Sequence, residues 1–250
     1  MSSNLVRRLF LGASVALTMA AGAQAAAVTE LDTQAQAGDA TATYALARHY
    51  SGASGTALDR QKAFDYLHQA ALQGHTPAQV DLAFTYYNGN DRVPKDPAQA
   101  FQWFSKAAAG GSVIAQCLLG DFYKNGMGGA PKDGKQAFAW YSKTAVTSDR
   151  CAPKSQYELF EAYASGRGVP RNMTTAISWL RRAADAGNPV AQARLGRAYL
   201  KGEGVPLDDA LGRTWIKKSR EGVAPHEDED DDAHEPGAKA KGHGHAEHRH

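Results

Sequence analysis

The stretch Gly187 to Gly222, GNPVAQARLGRAYLKGEGVPLDDALGRTWIKKSREG, sets the architecture of the chain. It reads as two short helices joined by a tight turn. The first runs from about Pro189 to Lys201 and carries Ala191, Leu195 and Tyr199 four residues apart, which puts all three on one face. The second starts near Asp208, a residue suited to capping a helix N-terminus, and carries Trp215 inward. Between them, Gly-Glu-Gly-Val-Pro supplies two glycines for backbone angles that other residues resist and a proline that cannot continue a helix. One such hairpin cannot bury both of its apolar faces. It requires neighbours of the same kind.

The sequence supplies five copies. The leucine of the first (A) helix recurs as Leu46, Leu82, Leu119, Leu159 and Leu195. Its tyrosine recurs as Tyr50, Tyr86, Tyr123, Tyr163 and Tyr199, at separations of 36, 37, 40 and 36 residues. The second (B) helix begins after Asp59, Asp96, Asp133, Asn172 and Asp208 and carries Tyr66, Trp103, Trp140, Trp179 and Trp215. A helix-turn-helix unit repeating near every 36 residues predicts an all-α fold, an α/α solenoid in which each unit covers the next. The units fall at 38–73, 74–110, 111–146, 147–186 and 187–222, preceded by a capping helix at 26–37. The fourth is irregular. About three residues are inserted ahead of it, in TSDRCAP, and Phe160 stands where other copies have Ala47, Ala83, Gly120 and Gly196.

The ends are of different material. Residues 1–25 pair Arg7 and Arg8 with the apolar run LFLGASVALTMAAG and a small-x-small site at Ala23-Gln24-Ala25, the pattern of a cleaved secretory signal. That run is shorter than the roughly 20 residues of a membrane span, so the expected mature chain starts near Ala26, has no transmembrane segment and is periplasmic or secreted. The 28 basic and 26 acidic residues leave a net charge of +2, too balanced for a nucleic-acid partner. Residues 223–250 lack aromatics and apolar period, which predicts a disordered tail. Eight acids there face three basic residues, and His226, His234, His243, His245, His248 and His250 are ligand types for weak Zn, Ni or Cu binding, with no spacing that defines a cage. The other reading of the tail is a solubilising segment that gains charge as pH falls through about 6.5. No cofactor is required.

Both cysteines fall near the N-terminal ends of neighbouring A helices, Cys117 in the third copy and Cys151 at the turn into the fourth. In an oxidising compartment this favours a Cys117–Cys151 disulfide if the turn curls to bring the Cα atoms within about 7 Å. The alternative is one buried and one exposed thiol.

The assembled motif, A-x-x-x-L-(G/A)-x-x-Y-x-x-G-x-G-V-P-x-D-x-x-x-A-x-x-W-x-x-x-A-A, is similar to that of Sel-one-like repeat proteins, relatives of the tetratricopeptide family, over residues 38–222. The resemblance implies a right-handed superhelix whose A helices line a concave groove, and a monomeric, non-enzymatic adaptor that binds a protein or peptide. Exported bacterial members are associated with envelope assembly, kinase regulation and host contact. Some cysteine-rich secreted members are linked to β-lactam chemistry. This chain lacks their cysteine pairs and has no S-x-x-K, G-x-S-x-G or H-E-x-x-H, so a β-lactam or cell-wall hydrolase ranks last, behind a metal-buffering protein acting through the tail.

Within the expected groove, register lines up Gln79, Gln116, Gln156 and Gln192 in one row. Neighbouring rows hold Asp81, Glu158 and Arg194, and Asp121, Glu161 and Arg197. That pattern predicts a face acidic in the middle and basic at the end, suited to an extended or helical partner segment. Two roles are open to the glutamines: contact with the partner, or structural bonds to the backbone of an adjoining repeat.

Overall fold

The leucine ladder becomes the buried spine of the molecule. The computed structural model describes residues 25–52 and 57–221, and within them all regular structure is helical. Helix α1 covers residues 25–36. The five hairpins follow as α2 (Ala40–Gly52) with α3 (Ala57–Leu72), α4 (Thr76–Asn88) with α5 (Pro97–Ala109), and α6 (Val113–Asn125) with α7 (Gly134–Thr144). The last two are α8 (Ala152–Ser165) with α9 (Met173–Asp185) and α10 (Pro189–Lys201) with α11 (Asp209–Glu221). Each helix packs on the one before and the one after, the connectivity of an α/α solenoid. Residues 1–24 of the expected signal (1–25) and the whole tail 223–250, with its six histidines, lie outside the described residues.

Leu46, Leu82, Leu119, Leu159 and Leu195 are all nearly inaccessible, and burial of each such side chain stabilises by about 2 kcal/mol. The helix-B caps act as their residue types predict. Asp96 accepts from the backbone N–H groups of Ala98 and Gln99, Asp133 from Lys135 and Gln136, Asn172 from Thr175 and Asp208 from Leu211.

Where A and B helices cross, side-chain size is reciprocal. A Cβ on Gly120 would come within 2.4 Å of the Tyr141 ring, so glycine is what admits the tyrosine. In the fourth copy Phe160 is buried against Ala176, Ile177 and Leu180 of α9, and leucine stands where α7 has Tyr141. The large residue has moved from the B helix to the A helix. The second loop glycine has a similar purpose: a Cβ on Gly168 would lie 2.0 Å from the carbonyl oxygen of Gly134, where the loop meets the preceding B helix. The glycine loops are repeat-to-repeat contacts.

Four of the five helix-to-helix junctions that lead into an A helix share one construction. The chain leaves the preceding helix through a glycine at positive φ (Gly38, Gly74, Gly111 or Gly187) and enters the next at once. Asp39, His75, Ser112 and Asn188 then cap α2, α4, α6 and α10 with their side chains. The junction from α7 to α8 differs. Residues 145–151 form a run of turns, and Cys151, at the N-cap position, makes no side-chain cap bond.

Candidate protein-binding face

The glutamine row turns out to be structural. Gln79, Gln116 and Gln192 donate from Nε2 to the carbonyls of Ala71, Ala108 and Ala184, eight residues back, at 3.1, 3.2 and 3.0 Å. Gln156 makes the same bond to Ala145 at 2.9 Å, eleven residues back, so the three-residue insertion is absorbed with the bond intact. Each amide satisfies a carbonyl at the C-terminal end of the preceding B helix, a group that the helix cannot pair internally. Gln79 and Gln192 are buried. Of the two roles open to this row, the backbone role is the one its geometry fills, and these four residues leave the candidate face.

The acidic residues are present on the A helices, and Asp81, Asp121 and Glu158 are engaged across repeats. Asp81 on α4 accepts from the Tyr44 hydroxyl of α2 at 2.7 Å. Asp121 on α6 accepts from the Tyr141 hydroxyl at 2.8 Å and pairs with the Lys154 ammonium of α8. Glu158 on α8 takes the Lys124 ammonium of α6 on both carboxylate oxygens at 2.7 Å. Glu161 accepts from Tyr157 at 3.1 Å. Three of the four carboxylates of the expected acidic middle are therefore inter-helix ties, two of them neutralised by Lys124 and Lys154, while the bond to Glu161 stays within α8. Burial and the charges of Asp121 and Glu158 push the Tyr141 hydroxyl far above its usual range, keeping it a donor. Burial works against the Lys154 ammonium, but its bond to Asp121 and that carboxylate's charge hold it above the usual lysine range.

The basic end is more open. Arg197 is exposed, and Arg194, 43% exposed, is loosely paired with Glu203 at 3.9 Å. Beside them on α10 Val190 is 53% exposed, and Ile114 at the matching place on α6 is 44% exposed. On the last hairpin, a cleft is lined by Leu200 of α10 and Arg213, Ile216, Lys217, Arg220 and Glu221 of α11.

One recurring feature escaped the sequence reading. Lys106, Lys143, Arg182 and Lys218 lie over the Trp103, Trp140, Trp179 and Trp215 rings at 3.9, 4.3, 4.8 and 4.6 Å from their centroids. Only Trp103 is fully buried, and the cations cover the outer faces of the partly buried indoles. The signal was the repeated W-x-x-(K/R), one helical turn apart.

Both cysteines are free thiols: Cys117 on α6 is buried and Cys151 partly so. Cys117 Sγ lies 3.7 Å from the hydroxyl of Ser155, one helical turn after Cys151. Among the described residues no group of three or more His, Cys, Asp or Glu is placed to hold a metal ion, and no helix is long and apolar enough to cross a membrane.

The Sel1 repeat family model matches residues 40–75, 76–112, 113–145, 153–188 and 189–222. Among solved structures, a protective antigen of uropathogenic Escherichia coli strains displaying an SLR fold is 34% identical, with a TM-score of 0.67, over 78% of this chain. The match spans 40% of that antigen, so this chain corresponds to less than half of its length. A Sel1 repeat protein from Oxalobacter formigenes is 26% identical, with a TM-score of 0.69, over 79% of each chain. No curated protein matches.

Proposed function

The chain belongs to the Sel1 repeat family, whose members typically mediate protein–protein contacts, and on that premise we propose that it is an exported, non-enzymatic adaptor. It holds an acidic segment of a partner protein on the A-helix face of the last copy, α10. The observation that carries this reading is the contrast along that face. Asp121 and Glu158 are closed into ion pairs with Lys154 and Lys124, whereas Arg197 is exposed and Arg194 has only a distant partner. Exposed Val190 supplies an apolar contact next to these charges, the mix of anchor and steering charge that protein recognition uses. The signal-like pattern of residues 1–25 supports export to the periplasm or beyond it, where the family resemblance suggests a role in envelope assembly, envelope regulation or host contact.

The test is cross-linking capture from the native envelope with the wild-type chain and the double variant Arg194→Glu/Arg197→Glu. A partner retained by the wild type and lost by the variant, with its binding weakened by salt, is the expected outcome. A partner held equally by both removes the α10 face from the reading.

A further inference from the structure

The junction between α7 and α8 contains a buried polar group set that no other junction has. Ala70 and Ala78, Ala107 and Ala115, and Ala183 and Ala191 are buried in the apolar clusters of the other junctions. The matching pair here is Thr144 and Ser155, both fully buried, with their hydroxyls 2.7 Å apart. Ser155 Oγ also lies 3.7 Å from Cys117 Sγ, reaching from α8 to α6. The Ser155 N–H bonds to the Cys151 carbonyl, so Cys151 sits one turn above Ser155 on the same side of α8. Ser155 thus links Cys151, one turn before it, to Cys117 on the neighbouring α6.

We propose that Cys117 and Cys151 are an oxidisable pair, a modification site at which a small disulfide oxidant closes a covalent bridge between α6 and the start of α8. This inference is independent of the binding role above. The route follows from exposure. Cys117 is 1% exposed, whereas Cys151 is partly open, so the oxidant meets Cys151 first. With oxidised glutathione as the oxidant, the Cys151 thiolate attacks one of its sulfurs, forms a mixed disulfide and expels one glutathione thiolate. The Cys117 thiolate then attacks the Cys151 sulfur, forms the Cys117–Cys151 bond and expels the second glutathione. Two protein thiols have lost two electrons and two protons, and the oxidant has become two molecules of reduced glutathione.

The surroundings favour the second step. The bond from Cys151 pulls the Cys117 thiol down to about 7 against the burial that would raise it, with Ser155 and the Lys154 charge acting the same way and Asp121 opposing. The same bond, together with burial, raises Cys151. The proton is therefore held on Cys151 and the charge on Cys117, the sulfur that attacks in the second step. The bridge would span the 145–151 turns and enclose α7, giving the one uncapped A helix a fixed start.

The experiment uses the full chain, reduced and then equilibrated in oxidised and reduced glutathione buffers, followed by alkylation and peptide mass spectrometry. A Cys117–Cys151 cross-linked peptide in most molecules, with a Tm about 10 °C above that of the reduced protein, is expected. Closure should quicken several-fold from pH 6 to pH 8. Cys117→Ser should stop at a glutathione adduct on Cys151, and Cys151→Ser should leave Cys117 unmodified. If both native thiols stay alkylatable, or the wild type stops at the adduct, the proposal is overturned. Cys117 in Cys151→Ser reacting as fast as the wild type would overturn the order of steps even if Cys117→Ser failed to fold.

Discussion

The junctions from α5 to α6 and from α7 to α8 occupy equivalent places in the repeat and are built from opposite materials. At the first, Phe101 and Phe104 pack on Phe122 with ring centroids 5.6 and 5.9 Å apart, Gly111 turns the chain, and Ser112 caps α6. At the second, Thr144, Ser155 and two thiols replace the small apolar contacts, the turn is longer, and the cap bond is missing. Yet Gln116 and Gln156 make the same bond in both. The repeat can therefore exchange its packing and its turn at one place while keeping the hydrogen bond that fixes the spacing of helix to helix.

Mutations at the two junctions should separate these materials. Phe122→Ala, which empties a fully buried site in the apolar cluster, should destabilise the protein by about 4 kcal/mol in urea denaturation. The double change Thr144→Ala/Ser155→Ala restores the alanine pair of the other junctions and removes both partners of a buried hydrogen bond together. It should shift stability by less than about 1 kcal/mol. A loss as large as that of Phe122→Ala would make the polar pair an essential element of the junction.

A smaller effect distinguishes the caps. His75 accepts from the Ala78 N–H through Nδ1, which only the neutral ring can do. Burial lowers its pKa below the ordinary histidine value, with Asp39 and Asp81 opposing. A base whose folded pKa is lowered stabilises the fold above its unfolded pKa and loses that contribution as pH falls through the folded one. Thermal melts should therefore show a loss of up to about 1 kcal/mol below pH 6.5, and His75→Asn, which caps without titrating, should reduce it. An unchanged pH profile in His75→Asn would remove the histidine cap from the comparison.

Much of this was open to a reader of the sequence. The period, the capping aspartates and the leucine ladder each follow from local rules, and in the last hairpin those rules give the bounds of α10 and the start of α11. The glutamines were correctly lined up in a row, but register gives only the angle around a helix. It does not say that this angle meets the carboxyl end of the preceding B helix, although the eight-residue spacing from Ala71 to Gln79 and from Ala184 to Gln192 was there to be noticed. The ion pairs were further out of reach. Lys124 to Glu158 and Lys154 to Asp121 depend on the offset between neighbouring A helices, which no single repeat encodes. The thiol contact depends on how the 145–151 turns curl, and that is a property of the inserted residues alone.

Backbone hydrogen exchange of the full chain, read by mass spectrometry on the reduced and the oxidised protein, tests the contrast between junctions most directly. In the reduced protein, residues 148–155 should exchange well ahead of the matching starts of α4, α6 and α10, and oxidation should slow that segment alone. Equal protection at all four starts in the reduced protein would contradict the account.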